Sequence, residues 1–158
     1  MKNTVVTTDR ATLQKTLDAT GQARIAELKA EQPPALPIVP DGLKNIPVGT
    51  PCLFSEASES YRSPRSGHPR STNRVPLHSY DLRVNYSSYA YNDLISPRPL
   101  LMIAGSEADT LYFCEEAISR AKEPKELLII KGKTVGLYDD LTESFPKFLD
   151  FVTKSLAR

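Results

Sequence analysis

Proline placement constrains this chain more than any other feature. Most of its thirteen prolines fall between Pro33 and Pro99. Each removes a backbone donor and bars the residue before it from helical torsions, so a segment punctuated in this way cannot extend a helix or a central strand for long. The middle third is therefore expected to hold loops and short segments, with regular structure at the two ends.

At the N-terminal end, Thr8 or Asp9 can cap a helix that runs to about Glu31, where Pro33 and Pro34 stop it. Leu13, Leu17, Ile25 and Leu28 lie near one face, with charged residues on the other. Gly21 inside that helix costs about 1 kcal/mol against alanine, so packing rather than propensity has to hold the element. In the middle third, "YRSPRSGHPRSTNR" carries Arg62, Arg65, Arg70, Arg74 and His68. It reads as a solvated loop whose arginines pair with carboxylates and carbonyls elsewhere, in preference to an anion clamp. Between Asp81 and Asp93, Leu82, Tyr86 and Tyr89 have helical spacing while Tyr89 and Tyr91 alternate as in a strand. Both types stay open there, and the tyrosines are expected in the core.

The C-terminal end is more regular. The run Leu100 to Ala104, opened by prolines and closed by Gly105, has the continuous apolar character of a strand buried on both faces. A helix follows over about Phe113 to Lys122 and stops at Pro124. Leu127 to Ile130 then form a second apolar strand before Gly132. In a last helix, about Ser144 to Leu156, the residues Phe145, Phe148, Leu149, Val152 and Leu156 fall on one stripe, and Pro146 sits in the first turn where a missing donor costs little. Strand, helix, strand, helix with apolar strands predicts a βαβα unit with parallel strands, hence the α/β class. Two parallel strands are not stable alone, because each expects neighbours and covering layers.

Composition excludes several function classes. Twenty basic against nineteen acidic residues leave a net charge of +1, too small a field to hold nucleic acid or an anionic membrane. The first ten residues, "MKNTVVTTDR", lack the apolar core of a secretory signal, and no stretch is apolar enough to span a bilayer, so a cytoplasmic location is expected. Cys52 and Cys114 show neither metal-ligand spacing nor the density of a disulfide scaffold, so reduced thiols and no metal are expected.

In open α/β sheets function gathers beyond the carboxyl ends of the strands. Those loops here are "GSEADTL", Gly105 to Leu111, and "KGKTVGLYDD", Lys131 to Asp140. The first presents Glu107 and Asp109. An acid after one strand and a histidine after the next is the tail of the α/β-hydrolase triad, whose serine comes earlier in a GxSxG elbow. The stretch "ISPRPLLMIAGSEADTLYFCEEAISRAKEPKELLIIKG" resembles the C-terminal part of dienelactone-hydrolase-like α/β hydrolases, and "YRSPRSGHPRSTNR" resembles the segment that precedes it. The likeness covers about Thr8 to Arg158 and is strongest from Tyr61 to Arg74 and from Ile95 to Tyr138.

That resemblance implies a serine hydrolase of esters, thioesters or related acyl bonds, with no metal or cofactor. Its acid maps to Asp109, with Glu107 as the competing candidate. Two departures follow. Relatives of this kind read G-x-T-H before the "LYD" segment, whereas this chain reads "GKTVGLYDD", so Val135 stands where the base would be. GxSxG occurs nowhere, and the family's upstream strands, elbow and oxyanion loop would lie before Met1. His68 and His78 both precede the acid-bearing strand and make poor replacements, because a base has to reach nucleophile and carboxylate together. Cys114, near a helix start, is the one candidate replacement nucleophile, and a half-buried structural thiol is the simpler reading.

The sequence thus predicts a truncated α/β-hydrolase fold: a helical and Pro-rich cap-like segment over residues 1–95, then the βαβα part of a hydrolase domain over 96–158. Hydrolysis is expected near background. A non-catalytic role in self-association, or in docking to a complementing hydrolase chain through an exposed sheet edge, is the alternative.

Overall fold

The computed structural model describes residues 9–29, 35–41, 44, 46–132 and 134–157. Its first helix, α1, spans Arg10–Glu27. Asp9 caps it: Oδ1 accepts from the Thr12 N–H at 2.9 Å and Oδ2 from the Thr12 hydroxyl at 2.6 Å. The helix stops at Glu27, short of Glu31, and the expected stop at Pro33 and Pro34 lies outside the described residues. Its inward face is also not the expected one. Thr20 and Ala23 are buried and Leu13, Thr16 and Leu17 half-buried, whereas Ile25 and Leu28 are exposed. Polar contacts hold that face inward. The Thr20 hydroxyl lies 3.5 Å from the Leu77 carbonyl, and Arg24 Nη2 reaches both Asp81 oxygens at 2.8 and 2.6 Å. Asp81 belongs to α3, Ser79–Asn85, against which α1 packs.

The middle third is more ordered than its prolines suggest. A ten-residue helix, α2, runs Cys52–Tyr61. This corrects the expectation of loops and short segments alone. The reason is local: no proline interrupts Cys52 to Ser63, and Pro51 fixes its φ at −55° at the position that enters the helix. Strands β1, Ala35–Pro37, and β2, Arg74–Pro76, form a short antiparallel pair with Leu36 opposite Val75.

Asn73 locks that pair. It is buried, sits at φ 55°, and uses both ends of its amide. Oδ1 accepts from the Ile38 and Val39 N–H groups at 3.1 Å each, while Nδ2 donates to the Val39 carbonyl at 2.9 Å and to Asp41 at 2.7 Å. Asp41 also receives Arg62 at 3.1 Å and Arg74 at 3.3 Å, and Arg65 pairs with Asp139. Three of the four loop arginines, Arg62, Arg65 and Arg74, therefore meet carboxylates, as expected. Residues 81–93 resolve into the end of α3 and the start of a 3-10 turn, Asn92–Ile95. Of the tyrosines expected in the core there, Tyr86 and Tyr91 are exposed. Tyr89 alone is half-buried, tilted against Phe113 with ring centroids 6.4 Å apart.

The C-terminal part is the βαβα unit: β3, Leu100–Gly105; α4, Leu111–Arg120; β4, Lys125–Ile130; and α5, Ser144–Leu156. Strands β3 and β4 are parallel, in register from Leu100 opposite Lys125 to Gly105 opposite Ile130. Successive side chains on a strand point to opposite faces. Lys125 Nζ donates to the Ile118 and Ala121 carbonyls at 2.8 Å, which ties α4 to one face. The next residue, Glu126, pairs with Lys147 of α5 on the other. The helices thus sandwich the strand pair, an α/β arrangement.

Burial is incomplete. Ala104 and Ile130 are buried, but Ile129 is 48% exposed, so these strands are not covered on both faces. The apolar stripe of α5 also departs from expectation. Phe145, Phe148, Leu149 and Leu156 are 53%, 51%, 53% and 80% exposed, while Ser144, Lys147, Phe151, Val152 and Ser155 turn inward to different degrees. Two strands offer a helix too little surface to bury its whole stripe. The ion pair to Glu126 takes part of the space.

Candidate functional site at the carboxyl ends of the strands

The loops that leave β3 and β4 are tied backbone to backbone. Ser106 N–H donates to the Ile130 carbonyl at 2.7 Å and Glu107 N–H to the Gly132 carbonyl at 2.8 Å. Gly132 holds φ +144°, which an L side chain rarely adopts, so the loop after β4 turns there because the residue is glycine. One residue beyond Asp109, the Thr110 hydroxyl meets the Thr134 hydroxyl at 3.0 Å. The geometry that would bring an acid near a base is therefore present.

The groups standing there do other work. Asp109 Oδ2 accepts from the Leu53 N–H at 3.0 Å, in the first turn of α2. Pro51, at the N-cap position, supplies no side-chain acceptor, so a carboxylate from a distant loop satisfies one of the orphan donors that every helix start leaves. Glu107 is exposed, and its side chain has no hydrogen bond or ion pair among the described residues. Val135, at the position of the expected base, is 3% exposed in a 3-10 turn, Val135–Tyr138, and its N–H donates to Glu56 Oε2 at 2.9 Å. The other oxygen of Glu56 accepts from the Cys52 thiol at 2.9 Å. Two reciprocal bonds thus join α2 to the two loops.

Neither imidazole joins this cluster. His78 Nδ1 lies 2.6 Å from Glu27 Oε1, between α1 and α3, and His68 Nδ1 accepts from the Arg70 N–H at 3.2 Å within its own turn. Among the described residues no hydrogen bond or ion pair links either to Asp109. Cys114 is placed inside α4, past its first turn, and burial together with the neighbouring Glu115 raises its thiol pKa. A thiol so placed stays protonated at neutral pH, and the protonated form is the poor nucleophile. Burial raises the Tyr112 phenol in the same way, with Asp109 adding to the effect. No three side chains of His, Cys, Asp or Glu gather as a metal site among the described residues. No helix is long and apolar enough to cross a membrane.

Sequence reasoning missed Glu56, Leu53 and Ser144. The proline-free run after Pro51 was the available signal for α2, but nothing local could show which loop its first turn would meet. Ser144 lines a cavity of about 280 Å³ between the two loops and the start of α5.

No family model matches the chain. Over 143 residues it is 33% identical to the uncharacterized protein PA2218 of Pseudomonas aeruginosa, covering 88% of this chain and 37% of that one. It is 23% identical over 125 residues to the uncharacterized protein YcjY of Escherichia coli, covering 78% of this chain and 40% of that one. The chain thus spans well under half the length of these curated relatives. The crystal structure of PA2218 superposes with a TM-score of 0.78 at 32% identity, over 90% of this chain and 44% of that one. That of the α/β hydrolase GrgF from a Penicillium species gives a TM-score of 0.71 at 24% identity, over 96% of this chain and 52% of that one. The chain therefore has an α/β-hydrolase-like fold.

Proposed function

We propose that this chain is a non-catalytic derivative of a dienelactone-hydrolase-like acyl hydrolase, in which the acid and base loops have become structural anchors for α2. The observation that carries this reading is the pair of bonds from α2. Asp109, at the position of the family acid, accepts from Leu53, and Val135, at the position of the base, donates to Glu56. An acid without a histidine has nothing to orient, and a hydrolase without its base retains only a small part of its rate. In this reading residues 1–95 form the cap-like part and 96–158 the hydrolase part, and the protein works in the cytoplasm with both cysteines as reduced thiols.

The test is hydrolysis of 4-nitrophenyl acetate and of an acyl thioester by the purified chain. The expected rate equals that of buffer, unchanged in Asp109→Asn, His78→Ala and Cys114→Ala. Turnover above buffer that any of these substitutions removes would overturn the reading.

One further observation favours a second role, that of an interaction protein. The outward stripe of α5, Phe145, Phe148 and Leu149, leaves an apolar surface of the kind that associating proteins cover. Light scattering decides: a concentration-dependent mass that Phe148→Ser reduces supports self-association, and a monomer at high concentration removes it.

A further inference from the structure

The cavity between the strand-end loops has an unusual wall. Ser144, the first residue of α5, is 9% exposed and lines it, and its Oγ is buried with no hydrogen-bond partner among the described residues. A buried hydroxyl left unpaired is costly, and native structures leave few of them. The remaining walls are apolar, notably Ile103, Leu111 and Leu137. Of the three other hydroxyls in the lining, those of Thr110 and Thr134 are already engaged with each other, and the third belongs to Tyr138. Tyr138, largely exposed, stands where the cavity meets solvent.

We propose that this cavity binds a small neutral molecule with an apolar body and a single hydroxyl or carbonyl, which pairs with Ser144 Oγ. Charge decides the class. Among the described residues none that lines the cavity is ionised at neutral pH, so a charged ligand would lose its hydration without a counter-charge from them. The start of α5 offers no anion cradle either. Its Phe145 N–H already donates to the Leu141 carbonyl at 3.0 Å, and Pro146 has no N–H. Size sets the scale. A cavity of about 150 Å³ accepts benzene, so about 280 Å³ holds one substituted ring with room to spare. This site is independent of the catalytic reading above, since it uses neither Asp109 nor either histidine.

Phenol and toluene have nearly the same shape and differ in the hydroxyl, which makes them the probes. Amide shifts of the full chain, titrated with each, should move in the segments 103–111 and 134–144, with phenol binding about tenfold more tightly although toluene is the more apolar. Ser144→Ala should bring phenol to within about twofold of toluene, and Ala108→Leu should abolish both, each with an unchanged melting profile or a higher one. Equal binding of the two probes to the unaltered chain, or no shifts in those segments at millimolar probe, overturns the proposal. The comparison of probes on the unaltered chain stands even where a variant fails to fold.

Discussion

Residues 96–157 and residues 35–95 are ordered by different means. In the first, apolar side chains repeat with the period of a strand or a helix, and burial of Ala104, Ala117, Ala121 and Ile130 fixes the elements against each other. In the second, single polar side chains do the same task. Asn73 holds two backbone donors and an acceptor, Ser58 donates to the Pro40 carbonyl at 2.6 Å, and Asp41 gathers Arg62 and Arg74. Both regions become rigid, but only the first does so through a repeating pattern. A proline-rich segment has surrendered many backbone donors, so its shape depends on a few specific acceptors.

The strongest way to break this comparison is to truncate one member of each region. Ile130→Ala in β4 should cost about 2–5 kcal/mol, as a buried large-to-small change does. Asn73→Ala should cost about 1–3 kcal/mol, because it leaves the buried Val39 N–H unsatisfied and frees the part-buried Ile38 N–H. Urea titrations of both variants check this. A loss below about 0.5 kcal/mol for Asn73→Ala would place the order of the middle segment elsewhere.

A smaller effect sharpens the link between the regions. Asp109→Ala should cost about 1 kcal/mol, the scale of a lost helix cap, and hydrogen exchange should accelerate at Leu53 more than elsewhere in α2. Uniform exchange across α2 would show that the carboxylate does not anchor it.

The next prediction concerns pH. The hydrogen bond from Asn73, and then Arg74 and Arg62, hold the Asp41 carboxyl below its ordinary range. Its folded pKa lies below its unfolded one. The stability it contributes is therefore complete above the unfolded value, about 3.9, and is lost as pH falls through the lowered folded value. Acid unfolding of Asp41→Asn should be flatter in that window than that of the unaltered chain. Parallel curves would remove Asp41 from the account.

The smallest effect is expected on α5. Leu156 is largely exposed, so Leu156→Ala should change the melting temperature of the isolated chain by no more than about 0.5 kcal/mol implies. A larger loss would mean that the helix is covered in solution.

Much of the fold was legible in the sequence for the same reason that the regions differ. A cap at Thr8 or Asp9, the full extent of α5 and both parallel strands followed from local rules of capping and periodicity, and the structure uses Asp9. Tyr86 and Tyr91 were misplaced because spacing says which residues share a face and not whether anything covers it. In the strand-end loops, valine in place of histidine after Thr134 could be read directly, since identity at one position needs no partner. The task given to Asp109 could not.

By itself the sequence determined the order and type of the C-terminal elements, the loop that holds Asp109, and the absence of a base at Val135. The tertiary structure alone decided that Asp109 meets Leu53, 56 residues away, that Glu56 meets Val135, 79 residues away, and that the stripe of α5 faces out. Periodicity and capping act within a few residues along the chain. Which distant donor a carboxylate satisfies depends on how whole elements pack, and no local pattern encodes that.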